Sequence, residues 1–334
     1  MPLATAVVHH EIRTRFARHT KGGTVRSATD EMRIGLDIGG TKIDAVALDP
    51  EGRSLAEARV PTEKGQRGVV ESTSAALDAV TRLLPRSHSN VGSIGVGVPG
   101  TVDVASGQIL NAVNLDIVAL PLGALLRERF HVPVTVDNDV NAAALGSSHL
   151  LASRTASLSF LNVGTGLAAG FVKNGEIDRG ARGIAGEIGH IVVRPDGALC
   201  GCGQRGCLES FASGRALATA WPDWGPNASL PSLLAAEAAG NVRAIEVLDG
   251  LVDGVATAVQ ILALIADHET ILLGGGVAQY QGIFERVVDE LHARREGSVF
   301  MASLNLDSRV GLVPDDRPIA ATGAALLCAP GMQR

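Results

Sequence analysis

The fold of this chain is indicated first by the segment GEIGH (186–190) together with CGCGQRGCLE (200–209). These segments bring His190, Cys200, Cys202 and Cys207 close together along the sequence. One imidazole and three thiolates form the closed tetrahedral donor set that is typical of structural zinc. The plainer alternative is three reduced cysteines in a glycine turn. We expect a structural Zn²⁺ that organises the loop and leaves no coordination position for a reacting water.

Two carboxylates, Glu187 and Glu209, flank this loop in sequence. An exposed glutamate is usually only a solvated surface charge. A rigid metal loop between them would instead hold both carboxylates towards one polar ligand. Carboxylates that accept from several hydroxyls are a natural means of selecting a sugar.

Working outward, the chain contains two similar strand–turn–strand units. Strands are predicted at Arg33–Asp37 and Ile43–Leu48 around one glycine turn, and at Ala156–Val163 and Leu167–Lys173 around another. The two copies begin about 120 residues apart, which predicts an α/β protein built from two related halves facing a cleft. Backbone N–H groups in such turns can donate to a phosphate.

The turn residues are therefore candidate phosphate ligands, with Asp37 placed to hold Mg²⁺ through water. A third glycine run could face adenine or ribose, or could be only a tight turn. No P-loop sequence occurs in the chain. The candidate residues are Asp37, Gly39, Gly40, Thr41 and Lys42 in the first turn, Gly164, Thr165 and Gly166 in the second, and Gly274, Gly275 and Gly276 in the third run.

The segment from Asp137 to Asn141 follows a predicted strand and opens a helix. An aspartate at such a junction most often caps the helix. A carboxylate here could also take the proton of a sugar hydroxyl during phosphoryl transfer. The local sequence leaves Asp137 and Asp139 as equal candidates.

Composition limits the alternatives. A chain of 334 residues favours two lobes, and a net charge of −6 with 3% aromatic residues argues against a surface that binds nucleic acid.

The longest uncharged apolar run, Val255–Ala266, is too short for a membrane span. The N-terminus lacks a signal-peptide core, so we expect a cytoplasmic protein. Residues 1–31 are expected to be a flexible basic tail.

Taken together, these motifs resemble the ROK family of repressors, open reading frames and kinases, over about Ile34–Leu327. The resemblance implies an actin-like, hexokinase-like fold of two RNase H-like lobes. The implied lobes are residues 32–147, with 315–330 returning to them, and 148–314, with the zinc loop at 187–209. It also implies that Asp139 is the general base. The implied sugar ligands are Asn114, Asn138, Glu187, His190 and Glu209.

The implied activity is phosphorylation of a free hexose by ATP with Mg²⁺, with glucose and its 6-hydroxyl as the first expectation. The family also implies a homodimer or higher homo-oligomer. Two alternatives stay open. One is a sugar-sensing transcriptional regulator, although only some 32 residues precede the first predicted strand. The other is a sugar-binding protein without catalysis.

Overall fold

The computed structural model describes residues 31–84, 90–151, 156–221, 230–280 and 282–328. The predicted tail, residues 1–31, lies outside them apart from its last residue. The described chain forms two compact units. The first runs up to Leu150 and resumes at Asp316, and the second is Leu151–Asp315.

The first unit is built on a five-stranded sheet with the order β3-β2-β1-β4-β8. The pairs β1–β2 and β2–β3 are antiparallel, whereas β1–β4 and β4–β8 are parallel. A separate three-stranded sheet, β5-β6-β7, follows β4 in the chain. The strands are β1 (Met32–Ile38), β2 (Lys42–Leu48), β3 (Ser54–Pro61), β4 (Val91–Val98), β5 (Thr101–Asp103), β6 (Gln108–Ala112), β7 (Ile117–Leu120) and β8 (Val134–Asn138).

The second unit repeats the same plan, with the sheet order β11-β10-β9-β12-β13. Here β9–β10 and β10–β11 are antiparallel, and β9–β12 and β12–β13 are parallel. The two sheets therefore share one strand order and one pattern of directions, as the predicted duplication requires. The strands are β9 (Ser157–Val163), β10 (Leu167–Lys173), β11 (Glu176–Ile177), β12 (Thr270–Gly274) and β13 (Val310–Leu312).

Helices of both units pack on these mixed α/β sheets. The longest has apolar residues buried along most of its length. The helices among the described residues are α1 (Gly65–Leu83), α2 (Leu122–Phe130), α3 (Asp139–Leu150), α4 (Gly214–Ala220), α5 (Leu230–Ala238), α6 (Val242–Ile265), α7 (Ile283–Glu296), α8 (Val299–Leu304), α9 (Leu306–Arg309) and α10 (Ile319–Leu326).

Helix α6 is the one described helix that is long and apolar enough to cross a membrane by length and composition. Half of its most apolar window is buried within the protein. Leu248, Leu251, Val255 and Val259 are fully or almost fully buried and belong to the core of the second unit. Because a core helix passes the same test, the helix is weak evidence for a span.

The C-terminal helix α10 returns to the first unit and packs on β1, β4 and α3. Its backbone comes so close to β4 that a Cβ atom on Gly95 would lie 1.7 Å from the carbonyl oxygen of Ala324. A glycine is needed here because both neighbouring elements are rigid backbone.

We expect Gly95→Ala to destabilise the protein by roughly 3 kcal/mol, because the added methyl group overpacks a backbone–backbone contact. Gly250→Ala in α6 is the matched control. A Cβ there meets nothing within 4 Å, so it should be neutral or stabilise by up to about 1 kcal/mol through helix propensity. Urea denaturation of both variants measures the difference. Equal midpoints would contradict the packing argument.

Candidate functional site

The predicted metal ligands converge in the second unit. The donor atoms of His190, Cys200, Cys202 and Cys207 all lie within 4.8 Å of one another. The distance from His190 Nδ1 to Cys200 Sγ is 3.7 Å, and that from Cys202 Sγ to Cys207 Sγ is also 3.7 Å. Tetrahedral zinc bonds of about 2.0–2.3 Å imply edges of about 3.6 Å for N···S and 3.8 Å for S···S. The donor set and its spacing therefore fit Zn²⁺.

Two of these thiols differ in how readily they ionise. Hydrogen bonds from the backbone and side chain of Gln204 lower the pKa of Cys202 to about 6. Burial raises the pKa of Cys207 to about 12, so its thiolate is costly without a compensating charge. A bound divalent cation would supply that charge.

Arg194 and Asp253 fix this loop to the helices beneath it. The Arg194 guanidinium lies 3.9 Å from the centre of the Phe211 ring and donates to Asp253 of α6 at 2.5 Å. Arg294 of α7 donates to the other oxygen of the same carboxylate at 2.6 Å. The sequence did not predict these ion pairs, because residues so far apart in the chain give no local signal.

The two glutamates beside the loop have different environments. The Glu187 side chain is 60% exposed, and its Oε2 lies 3.9 Å from Nε2 of His190, which leaves it open to a ligand. Glu209 instead accepts a hydrogen bond at Oε2 from the Leu167 N–H, at 3.0 Å. Leu167 directly follows the second glycine turn, so Glu209 contacts a candidate phosphate-binding element.

The second glycine turn and the third glycine run are neighbours. The N–H of Val277 donates to Val163 O at 3.0 Å. A Cβ on Gly275, whose φ is +89°, would lie 2.6 Å from the Val163 carbonyl. The structure therefore brings Gly164–Gly166 and Gly274–Gly276 together at the ends of β9 and β12.

The first glycine turn, at Gly39–Lys42, joins β1 to β2. It is closed by the Gly39 N–H, which donates to Lys42 O at 2.9 Å. Thr62 holds it from the side, since its hydroxyl donates to Gly39 O at 2.8 Å and its N–H to Thr41 O at 3.0 Å. Thr41 and Lys42 are exposed. Thr62 is a positioning residue that the sequence did not reveal.

The two candidate bases at the β8–α3 junction, Asp137 and Asp139, differ in burial and in hydrogen bonding. Asp137 is 1% exposed and accepts from the Asn138 N–H at 2.7 Å and from Asn141 Nδ2 at 3.0 Å. Asn138 Oδ1 accepts from the Val140 N–H at 2.8 Å, as a helix cap does. Asp139, the first residue of α3, is only partly buried. Asp137 therefore has a structural environment, and Asp139 a more accessible one.

Asp139 and Asp37 act on each other electrostatically. Asp37 pairs with Gly97 across β1 and β4, and a Cβ on Gly97 would lie 3.4 Å from the Asp139 Cα. Burial raises the pKa of Asp37 to about 7, and the charges of Asp139 and Asp44 add to this while Lys42 opposes it. Two carboxylates thus lie at the carboxyl ends of parallel strands, where α/β proteins bind ligands.

The raised pKa of Asp37 predicts that the free energy of unfolding depends on pH. In the folded protein the carboxyl stays protonated up to about pH 7, whereas it ionises near pH 4 when unfolded. Between these two pH values the folded state binds more protons than the unfolded state. Its stability therefore falls as the pH rises from about 4 to 7. Asp37→Asn cannot ionise and should gain on the order of 2–4 kcal/mol relative to the wild type across this window. Urea denaturation at each pH, without magnesium or nucleotide, measures this; a constant difference would refute it.

Asn114 lies near the first glycine turn, Gly39–Lys42. It belongs to a short 3₁₀ turn, Val113–Leu115, and is exposed. A Cβ on Gly40 would lie 3.2 Å from the Asn114 backbone oxygen. Asn138 Nδ2 donates to Gly100 O at 3.2 Å. Asn114 therefore lies next to the first glycine turn, and Asn138 is the last residue of β8.

Comparison with known proteins gives a consistent result. The model of the ROK family matches residues 33–306. The chain is 35% identical to a glucokinase of Halalkalibacterium halodurans, over 75% of this chain and 82% of the relative. It is 33% identical to an N-acetylmannosamine kinase of Yersinia pseudotuberculosis, over 76% of this chain and 86% of the relative.

Solved structures agree with this. A ROK hexokinase from Thermus thermophilus matches with a TM-score of 0.74 and 32% identity, over 88% of this chain and 97% of its own. A ROK family glucokinase from Streptomyces griseus, solved with glucose and AMPPNP, matches with a TM-score of 0.67 and 31% identity, over 89% and 98%. The predicted actin-like, hexokinase-like fold is thereby confirmed.

Proposed function

Because the chain belongs to the ROK family, we propose that it is a sugar kinase that transfers the γ-phosphate of ATP to a hydroxyl of a free hexose. The observation that carries the proposal is the pair of carboxylates at the strand ends of the first unit. Asp139 there is partly accessible, and burial together with the negative charge of Asp139 raises the pKa of Asp37 to about 7. Such a pair suits proton transfer from an alcohol beside a charged phosphate.

In the proposed reaction, Asp139 accepts the proton of the sugar hydroxyl as its oxygen attacks the γ-phosphorus in line. The bond from that phosphorus to the ADP oxygen breaks. The proposed ligands of the sugar hydroxyls are Asn114, Asn138, Glu187, His190 and Glu209. The Gly39–Lys42 and Gly164–Gly166 turns donate backbone N–H groups to phosphates, and Gly274–Gly276 takes the nucleoside end.

Two metals are part of the proposal. Mg²⁺ carried with ATP would neutralise the phosphates, and Asp37 would hold it through water. His190, Cys200, Cys202 and Cys207 would hold a structural Zn²⁺. Their four donors fill a tetrahedral shell, so these residues position the loop and take no part in the chemistry.

Glucose is the first substrate to test, with the 6-hydroxyl as acceptor. The glucokinase relatives support it, while the N-acetylmannosamine kinase relative supports including N-acetylated sugars in the same panel. The free thiols of the described cysteines fit a reducing, cytoplasmic compartment. We also propose a homodimer or higher homo-oligomer, which light scattering would measure.

The test is ADP release coupled to NADH oxidation, with Mg-ATP and a panel of hexoses and N-acetylhexosamines. Turnover on one sugar at about 1–100 s⁻¹ is the expected result. Folded, zinc-loaded protein that binds a sugar and turns over none would overturn the kinase in favour of a sensor or regulator.

A further inference from the structure

We propose that Glu209 is a positioning residue for the nucleotide phosphates in addition to its role as a sugar ligand. Its carboxylate holds the Gly164–Gly166 turn in place and so couples the metal loop to the phosphate-binding element. The inference rests on the proposed function, which assigns the phosphates to that turn.

The first observation is the contact between this carboxylate and the turn. Oε2 of Glu209 accepts from the Leu167 N–H at 3.0 Å. It also lies against Gly166, where a Cβ would be 2.6 Å from Oε2. A side chain at position 166 would displace the carboxylate, so the absence of one permits the contact.

The second observation is that the chain after Glu209 holds the other side of the same turn. The Gly214 N–H donates to Gly164 O at 2.8 Å, and the Arg215 N–H donates to Thr165 O at 3.0 Å. The Ser213 hydroxyl donates to Glu209 O at 2.8 Å and caps α4 by accepting from Ala216. Residues 209–215 therefore fix the turn through one side chain and two backbone N–H groups.

These contacts have a direct chemical consequence. With its carbonyls at Gly164 and Thr165 tied down, the turn has a defined orientation for its own N–H groups, which are the donors a phosphate needs. The Leu167 hydrogen bond uses Oε2 of Glu209, and a carboxylate has a second oxygen, Oε1, that can accept from a sugar hydroxyl. The Glu209 side chain then contacts the phosphate-binding turn and the sugar at the same time. Binding of the nucleotide should therefore favour the Glu209 geometry that the sugar needs, and the reverse.

The experiment measures binding of the magnesium complex of AMPPNP by calorimetry, without sugar, to full-length zinc-loaded protein. Glu209→Ala should weaken nucleotide affinity about 5–20-fold, because a hydrogen bond to a charged acceptor is lost from the turn. Glu209→Gln should stay within about twofold of the wild type, since an amide oxygen can still accept from Leu167. Glu187→Ala is the matched control, because Glu187 also flanks the metal loop but faces solvent and His190.

Sugar affinity, measured separately, should fall in all three variants. If Glu209 were only a sugar ligand, nucleotide affinity would be unchanged in Glu209→Ala, and that result overturns the inference while leaving the kinase proposal intact. Failure of the wild type to bind the nucleotide would overturn both.

Should Glu209→Ala not fold, Gly166→Ala carries the test, since its methyl group pushes the carboxylate away. It should weaken nucleotide binding, because the displaced carboxylate no longer accepts from the Leu167 N–H. Unchanged nucleotide affinity in Gly166→Ala would overturn the inference.

Discussion

Asp139→Asn should lower kcat by about 10²–10⁴-fold, the usual contribution of a general base, while sugar affinity stays within a few fold. The amide keeps the size and the hydrogen-bonding reach of the carboxylate but cannot accept the hydroxyl proton. Steady-state kinetics at saturating Mg-ATP, paired with calorimetry of sugar binding, measure both quantities. Near-normal turnover in this variant would remove Asp139 from the mechanism.

Asp137→Asn is the matched comparison, because the two residues are close in the chain and were equal candidates from local sequence. Oδ1 of Asp137 accepts from both Asn138 and Asn141 inside the protein, and a neutral amide oxygen there would accept these bonds more weakly than a carboxylate. The expected result is lower thermal stability with a smaller loss of kcat. If Asp137→Asn gave the larger loss of kcat at equal stability, the two roles would be exchanged.

Cys202→Ser should lose the metal and sugar binding together. Structural zinc binding is worth on the order of 10 kcal/mol to a fold, and three remaining donors leave the shell open. Metal content measured by mass spectrometry should fall from about one zinc per chain towards none. The melting temperature should fall as well, because Cys200 and Cys207 are buried and their thiolates would lose the compensating charge of the metal.

Cys328→Ser is the control for this substitution. Its thiol lies in the first unit and donates to Ile94 O, outside the metal cluster, and a serine hydroxyl can make the same bond. It should keep full metal content. Unchanged zinc in pure Cys202→Ser would contradict the proposed ligand set.

The elements that the sequence predicted well are those with a strong local signal. Strand β10, Leu167–Lys173, has the predicted bounds, since a turn signal defines both ends. The sheet β5-β6-β7 was missed because its strands are only three to five residues long. Such short strands carry too few alternations for a periodic signal.

The candidate site shows the same division. The metal cluster could be read from the spacing of His190 and the cysteines, because one loop carries every ligand. Contacts between distant segments could not be predicted in this way. They include the hydrogen bond from Thr62 to the first glycine turn and the hydrogen bond from Leu167 to Glu209. The choice between Asp137 and Asp139 also needed burial, which the local sequence does not contain.

The return of α10 to the first unit sets an order for folding during synthesis. Residues 319–326 cover β1 and β4, yet they leave the ribosome only after the whole of Leu151–Asp315 has been made. The nascent first unit therefore carries an uncovered sheet face through translation of the second. The second unit, continuous in sequence, can complete its own core first, which reverses the usual N-terminal-first order.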